Sequence, residues 1–254
     1  MKVMIIGGTS GIGLGLARHY WEQGARVAVC GRHPGKLDGE AFVLDSRVSV
    51  HALDIADRAA VARVVAEVAE AAGGGAAAAP AGLDLLIVSA GQYTDAAAIA
   101  RDRNSTLPVL RVNVGGLDNA FGAAADAMMA QGQGQLVAIA SIAGLQHDYP
   151  NGSLYSASKR AAIAICDAYR KALAPFGIAV TVIVPGYVDT ARLRELNHGD
   201  ASAKPFLMSE REAVQRIAAA IARRDERCVF PWQMHALVKA FNLLPAFLKR
   251  VRKK

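Results

Sequence analysis

Short apolar runs alternate along this chain with longer stretches in which apolar positions recur at helical spacing. The runs at 3–6, 27–30, 48–53, 83–88, 136–140, 179–184 and 228–230 predict strands. That at 83–88 is almost continuously apolar, the pattern of a strand covered on both faces. Helical spacing is plainest at 57–72, where Val61, Val64, Val65 and Val68 fall on one side. A helix is also predicted over 12–23, directly after a glycine-rich turn, and further helices before and between the later strands. Residues 73–82 are rich in Gly, Ala and Pro, offer nothing to bury, and predict a surface connection. Strand and helix in alternation place the chain in the α/β class, as a Rossmann-type doubly wound parallel sheet of about seven strands with helices on both faces. No repeat or internal boundary is visible, so residues 1–231 are expected to form one domain, followed by a C-terminal extension at 232–254.

The extension reads as an amphipathic helix. Met234, Leu237, Phe241, Leu244, Leu248 and Val251 predict one apolar stripe, interrupted at Pro245. Lys239, Lys249, Arg250, Arg252, Lys253 and Lys254 account for all but one of the formal net charges of +7. The basicity therefore belongs to a tail and not to a groove across the body, which weighs against nucleic acid as a partner. Two placements stay open for the stripe: on an anionic membrane surface, or packed over a pocket or a partner subunit. Hydrophobic residues make up 53% of the 254 positions, enough for one large core. Cys30, Cys166 and Cys228 lie far apart outside any C-x-x-C pattern, and the six histidines do not cluster. Neither a disulfide framework nor a metal site is expected. The apolar run at 3–6 is too short for a secretory signal, and no apolar stretch reaches the about 20 residues that span a bilayer. A cytoplasmic setting is expected, with the tail as the element that would touch a membrane.

After the first strand comes Gly7-Gly8-Thr9-Ser10-Gly11-Ile12-Gly13. Glycines at 7, 11 and 13 allow backbone angles closed to other residues and let the main chain approach a ligand closely. The helix behind them directs unpaired N–H groups and its positive dipole end into the turn, which suits a pyrophosphate. The spacing is not G-x-G-x-x-G, since Leu16 takes the place of the third glycine. The second strand ends in Cys30-Gly31-Arg32-His33, where an acidic residue would bind an adenosine ribose hydroxyl. Arg32 instead offers a planar donor fork to a 2′-phosphate, pointing to NADP(H) in preference to NAD(H); the alternative is a loop arginine facing water.

Tyr155 and Lys159, in Tyr-Ser-Ala-Ser-Lys, are four apart and share a helix face. An ammonium beside the phenol would lower its pKa from about 10 toward working pH and let it exchange a proton.

In order, Gly7-x-x-x-Gly11-x-Gly13, Asp54, Ala90-Gly91, Asn113, Ser141, Tyr155-x-x-x-Lys159 and Pro185-Gly186-Tyr187-Val188-Asp189-Thr190 resemble the short-chain dehydrogenase/reductase family over residues 1–231. The resemblance implies an NAD(P)-dependent oxidoreductase that moves a hydride between nicotinamide and a carbonyl or secondary alcohol. It implies that Asp54 holds the adenine edge, and that Asn113 binds a water carrying protons between Lys159 and solvent. Ser141 would hydrogen-bond the substrate oxygen and Tyr155 would exchange its proton. Lys159 would also grip the nicotinamide ribose. Pro185, Gly186, Val188 and Thr190 would bracket the carboxamide, with Tyr187 facing the substrate. Thr9, Ser10, Ile12, Ile55, Ser89, Ala90 and Gly91 complete the expected cofactor contacts. The family also implies a homodimer or homotetramer, paired through helices near 106–129 and 155–174.

The chain departs from the family pattern in three places. Ile6 stands where a threonine is usual, Ser89 replaces an asparagine, and the 14 positions from Ser141 to Tyr155 lengthen the loop at 146–152. None removes a reacting group. The expected substrate wall comprises 145–154 and a flap at 187–208 that mixes Arg192, Arg194, Glu195, Asp200 and Lys204 with Leu193, Leu196, Phe206 and Leu207. Arg192 either meets an anionic substrate or faces solvent. Two other functions share these features: a nucleotide-sensing module without turnover, and a membrane-associated interaction protein.

Overall fold

Alternation of side chains along the strands builds two cores, one on each face of a single sheet. The computed structural model describes residues 1–71, 82–94, 99, 101–102, 104, 106–146 and 153–244. Its strands are β1 (Lys2–Ile6), β2 (Arg26–Gly31), β3 (Val48–Ala52), β4 (Leu85–Val88), β5 (Gly134–Ile139), β6 (Ile178–Pro185), β7 (Val188–Asp189), β8 (Met208–Ser209) and β9 (Arg227–Phe230). Seven of them form one sheet in the order β3-β2-β1-β4-β5-β6-β9, and every pairing in it is parallel. These are the seven expected strands, with ends moved by one or two residues. The ladder between β7 and β8 was not expected.

Ile5 pairs with Val29 on one side and Ile87 on the other, and these point into one core with Val3, Leu16 and Ile217. Met4 and Ile6 point the opposite way, with Val61, Leu86 and Phe121. Helices α1 (Gly11–Glu22) and α7 (Glu210–Ala222) cover the first face. The second lies under α2 (Arg58–Glu70), α4 (Leu117–Gln131) and α5 (Leu154–Leu173). In α2 the buried side chains include Val61, Val64, Val65 and Val68, as their spacing predicted, and the Asp57 carboxylate accepts from the Ala60 amide to start the helix. A short helix, α3 (Thr106–Leu110), runs into α4 through one π turn, Arg111–Gly116. The remaining helices are α6 (Ala191–Glu195) and α8 (Trp232–Leu243).

The strand order reverses between β1 and β4, and the crevice at their carboxyl ends is where such a fold receives a ligand. No helix among the described residues is long and apolar enough to cross a membrane.

The predicted stripe of the extension divides in α8. Met234 and Val238 are buried, while Leu237 and Leu244 are 59% and 42% exposed. Asn242 Nδ2 donates to the Leu145 carbonyl at 2.8 Å and pins the helix beside the crevice. Of the two placements left open, packing over the pocket is the one observed for Trp232–Leu243. Leu248, Val251 and the basic end lie outside the described residues, as do the connection at 73–81 and most of the lengthened loop, 147–152.

Candidate active site

The turn after β1 is tight because three backbones meet in it. The Gly7 and Gly8 amides both donate to the Cys30 carbonyl, at 2.8 and 3.2 Å. Gly7 has φ +87°, and a Cβ there would stand 2.3 Å from the Ala90 nitrogen. A Cβ on Gly13 would stand 2.1 Å from the Gly7 carbonyl oxygen. Only glycine lets β1, the end of β4 and the first turn of α1 pack this closely. The Ser10 side chain makes no cap hydrogen bond, which leaves the α1 amino terminus with N–H groups to offer an anion.

The turn opens into a cavity of about 850 Å³. Gly7, Thr9, Ser10, Gly11 and Ile12 line one part of it, with Arg32, Asp54 and Ile55 beside them. Ser89, Ala90 and Gly91 line its floor region at the β4 end, and Pro185, Gly186, Val188 and Thr190 the β6 end. Ser141, Tyr155, Lys159 and Tyr187 line it too. Of the expected site residues, Gly13 and Asn113 alone stand behind the wall. Gly13 acts through the fit of the turn.

Asn113 sits in the π turn and is buried. Its Oδ1 accepts from the Gln92 amide at 2.7 Å, and its Nδ2 donates to the Gln92 carbonyl at 2.9 Å and to Ser158 Oγ at 3.0 Å. Both amide hydrogens are thereby used, so the side chain braces the segment after Gly91 against α5. Asn113→Ala is expected to cost about 1–3 kcal/mol, because one buried and two part-buried groups lose a partner at once. Urea denaturation against the parent checks this; an unchanged midpoint would contradict it.

Ser141 begins a 3-10 turn, Ile142–Leu145, by accepting from the Ala143 amide at 3.2 Å. Gly144 in that turn meets α5 so closely that a Cβ would lie 2.8 Å from the Lys159 carbonyl carbon. This contact brings Ser141 to Tyr155. Gly144, three residues after Ser141, is the sequence feature behind this close approach.

Tyr155 and Lys159 do share a face of α5, but the ammonium does not sit at the phenol oxygen. Lys159 Nζ lies 5.8 Å from the centre of the Tyr155 ring and donates to the Ile139 carbonyl at 2.9 Å. Burial pushes the Tyr155 pKa up; hydrogen bonding with Ser141 pulls it down, and the neighbouring Tyr93 and Tyr187 push it up. Burial thus works against the expected acidification of the phenol. Desolvation outweighs an ammonium aimed at a carbonyl instead. The Tyr93 ring stands edge-on against Tyr155, with centroids 5.0 Å apart.

Lys159 is buried, and desolvation lowers its pKa to about 8. Between about 8 and the ordinary 10.5 the unfolded chain binds this proton and the folded one does not, so stability contributed here rises with pH across that window. The parent is therefore expected to gain stability relative to Lys159→Met as pH rises from 8 to 10.5. Denaturation curves without added cofactor check the sign; a difference constant with pH would contradict it.

The family profile described as short chain dehydrogenase matches residues 1–201. The chain belongs to the short-chain dehydrogenase family and is an oxidoreductase. Among its relatives, an uncharacterized oxidoreductase of Mycobacterium tuberculosis is 29% identical over 255 residues, covering 98% of this chain and 96% of the relative. One of Myxococcus xanthus is 30% identical over 248 residues, covering 95% and 92%. The crystal structure of a short-chain dehydrogenase from Burkholderia cenocepacia in complex with NADP superimposes with a TM-score of 0.77 at 24% identity, over 96% of this chain and 97% of that one. A short-chain dehydrogenase from Sphingobium yanoikuyae in complex with NADPH gives 0.77 at 22%, over 100% and 97%. At these identities the structural likeness is one of fold. In this short-chain dehydrogenase the cradle that a Cβ would fill, the open helix amino terminus and the cavity size all fit a nicotinamide dinucleotide. Its substrate is a small molecule.

Proposed function

We propose that the protein is an NADP(H)-dependent oxidoreductase acting on a carbonyl or secondary alcohol, with Tyr155 as the proton-exchanging group. The observation that carries this is the convergence of Ser141, Tyr155 and Lys159 on one cavity with the phosphate-type turn and Arg32. When bound, the nicotinamide would supply or accept the hydride.

The chain's own residues do the rest. The turn from Gly7 to Ile12 would hold the pyrophosphate on the α1 amino terminus. Asp54, whose Oδ1 is oriented by the Ala56 amide at 3.0 Å, would hold the adenine edge beside Ile55. Arg32, with Lys36 on the same cavity wall, would bind the 2′-phosphate. Pro185, Gly186, Val188 and Thr190 would bracket the carboxamide, and Lys159 the adjoining ribose. Ser141 and Tyr155 would both donate to the substrate oxygen as it gains negative charge. A phenol held above its ordinary pKa keeps its proton at neutral pH and has it ready at Oη for that oxygen. The Lys159 ammonium against the ring would then favour the phenolate left behind. Family membership also supports a homo-oligomer paired through the helices at 106–131 and α5, where Leu107 and Leu110 of α3 are exposed.

NADPH oxidation by the purified protein against a panel of ketones and aldehydes tests the reading; no turnover with any of them would count against it. Arg32→Ala is expected to weaken NADPH binding about tenfold or more and NADH binding little, since one charge-assisted contact is lost. Fluorescence titration with both cofactors checks it. Equal affinities in the parent would contradict the role of Arg32.

A further inference from the structure

Among the described residues, the substrate end of the cavity holds an ammonium without a carboxylate partner. Three cationic side chains among the described residues line this end, Lys159, Arg192 and Lys204, whereas the one acidic residue among them lining the cavity is Asp54 at the adenosine end. The three cations differ in what they can do. Lys159 donates to the Ile139 carbonyl, and its remaining donors face the nicotinamide ribose in the reading above. Arg192 pairs with Glu195 at 3.1 Å, with both side chains about two-thirds exposed (65% and 64%), so it is solvated and already neutralised.

Lys204 is half-buried and has no ion pair among the described residues. Its Nζ lies over the Tyr187 ring, 5.4 Å from the centre. The backbone sets this position. The Met208 amide donates to the Tyr187 carbonyl at 3.0 Å, and the β7–β8 ladder closes the flap just beyond it. The Lys204 amide donates to the carbonyl of buried Ala201 at 2.9 Å. Tyr187 in turn is near enough to Tyr155 to act on its ionisation. Phenol, aromatic ring and ammonium thus follow one another along the cavity wall. Leu193, Leu196, Met234 and Val238 supply apolar wall beside them.

Resting on the function proposed above, we infer that the substrate is an oxo acid or the corresponding hydroxy acid, with an apolar body and a carboxylate bound by Lys204. A lone ammonium on an aromatic face among apolar neighbours suits one negative charge; a phosphate dianion would need more donors. The carboxylate takes no part in bond changes. On reduction the carbonyl carbon gains the hydride and its oxygen gains the proton from Tyr155. Lys204 is a specificity residue and not a catalytic one.

Octanoate and octanamide, matched in length and unable to react, separate the charge from the apolar contact. Calorimetric titration into the full chain is expected to show octanoate binding about tenfold tighter, or about 1.4 kcal/mol. Lys204→Met should bring the ratio to about one, while Lys204→Arg and Arg192→Met keep the preference. Equal affinities in the parent, no binding of either compound, or a preference that survives Lys204→Met would overturn the inference. NADPH oxidation with a medium-chain oxo acid and its methyl ester is the second arm. Turnover of the ester as fast as the acid would sink the inference and leave the oxidoreductase reading intact. A Lys204-dependent octanoate preference with no turnover of either carbonyl would leave a carboxylate site at Lys204 and remove the oxidoreductase reading, and with it the assignment of an oxo acid as substrate.

Discussion

Tyr155→Phe is expected to lower kcat by about a thousandfold while the NADPH dissociation constant changes by less than about twofold. The ring of residue 155 keeps its contacts in the variant: Tyr93 still stands against it edge-on and the Lys159 ammonium still lies on its face. What is lost is one hydroxyl, the group that hydrogen-bonds with Ser141 and would deliver the proton to the substrate oxygen. Since α5 packs through other residues, such as Ile163 and Cys166, the fold should be untouched. Steady-state kinetics with a titration of NADPH into each protein separates the two quantities. Parental turnover by the phenylalanine variant would remove Tyr155 from the chemistry. A large parallel loss of cofactor affinity would assign it a binding role instead.

Gly13→Ala is expected to abolish measurable cofactor binding and to destabilise the fold by about 1–3 kcal/mol or more. The added carbon would stand 2.1 Å from the Gly7 oxygen and 2.9 Å from its carbonyl carbon, and neither is a side chain that can swing away. The first turn of α1 must then leave the end of β1. This moves the N–H groups that the cofactor phosphates need. Gly39→Ala is the control. Gly39 has φ +87°, and nothing lies within 4 Å of its added carbon. It should pay only the strain of a left-handed alanine and keep cofactor binding. If both variants lose binding alike, crowding of the turn is not the cause.

Much of the fold and the residues that gather round the cavity were legible in the sequence. Apolar runs marked the inner strands of the large sheet because these parallel strands are buried on both faces, while the edge strand β3, more exposed, keeps Ser49 and His51 among its valines. The turn at 7–13 was legible because glycine at these positions has a backbone reason that needs no partner to be known. Tyr155 and Lys159 were legible as a pair because helix spacing guarantees a shared face. Their electrostatics were not, since a shared face does not say where an ammonium points. Ile139, twenty positions away in sequence, draws Lys159 Nζ to its carbonyl. Asn113 likewise spends its side chain on Gln92 and Ser158, partners that only folding brings near.

The tail and the flap show the same division. Periodicity put Met234 and Leu237 on one stripe of α8, but contact with the cavity wall selects Met234 and Val238 and leaves Leu237 outside. Among the flap charges, local sequence separates Arg192 from Lys204 only in part. A carboxylate three residues along neutralises the first, and the β7–β8 closure holds the second over Tyr187. The amino-acid order by itself determined the α/β class, the phosphate-type turn and the family, because each is carried by the spacing and order of residues along the chain. The tertiary structure decided which charges remain unpaired and which protons are held, because burial and partner choice are set by residues far apart in the chain.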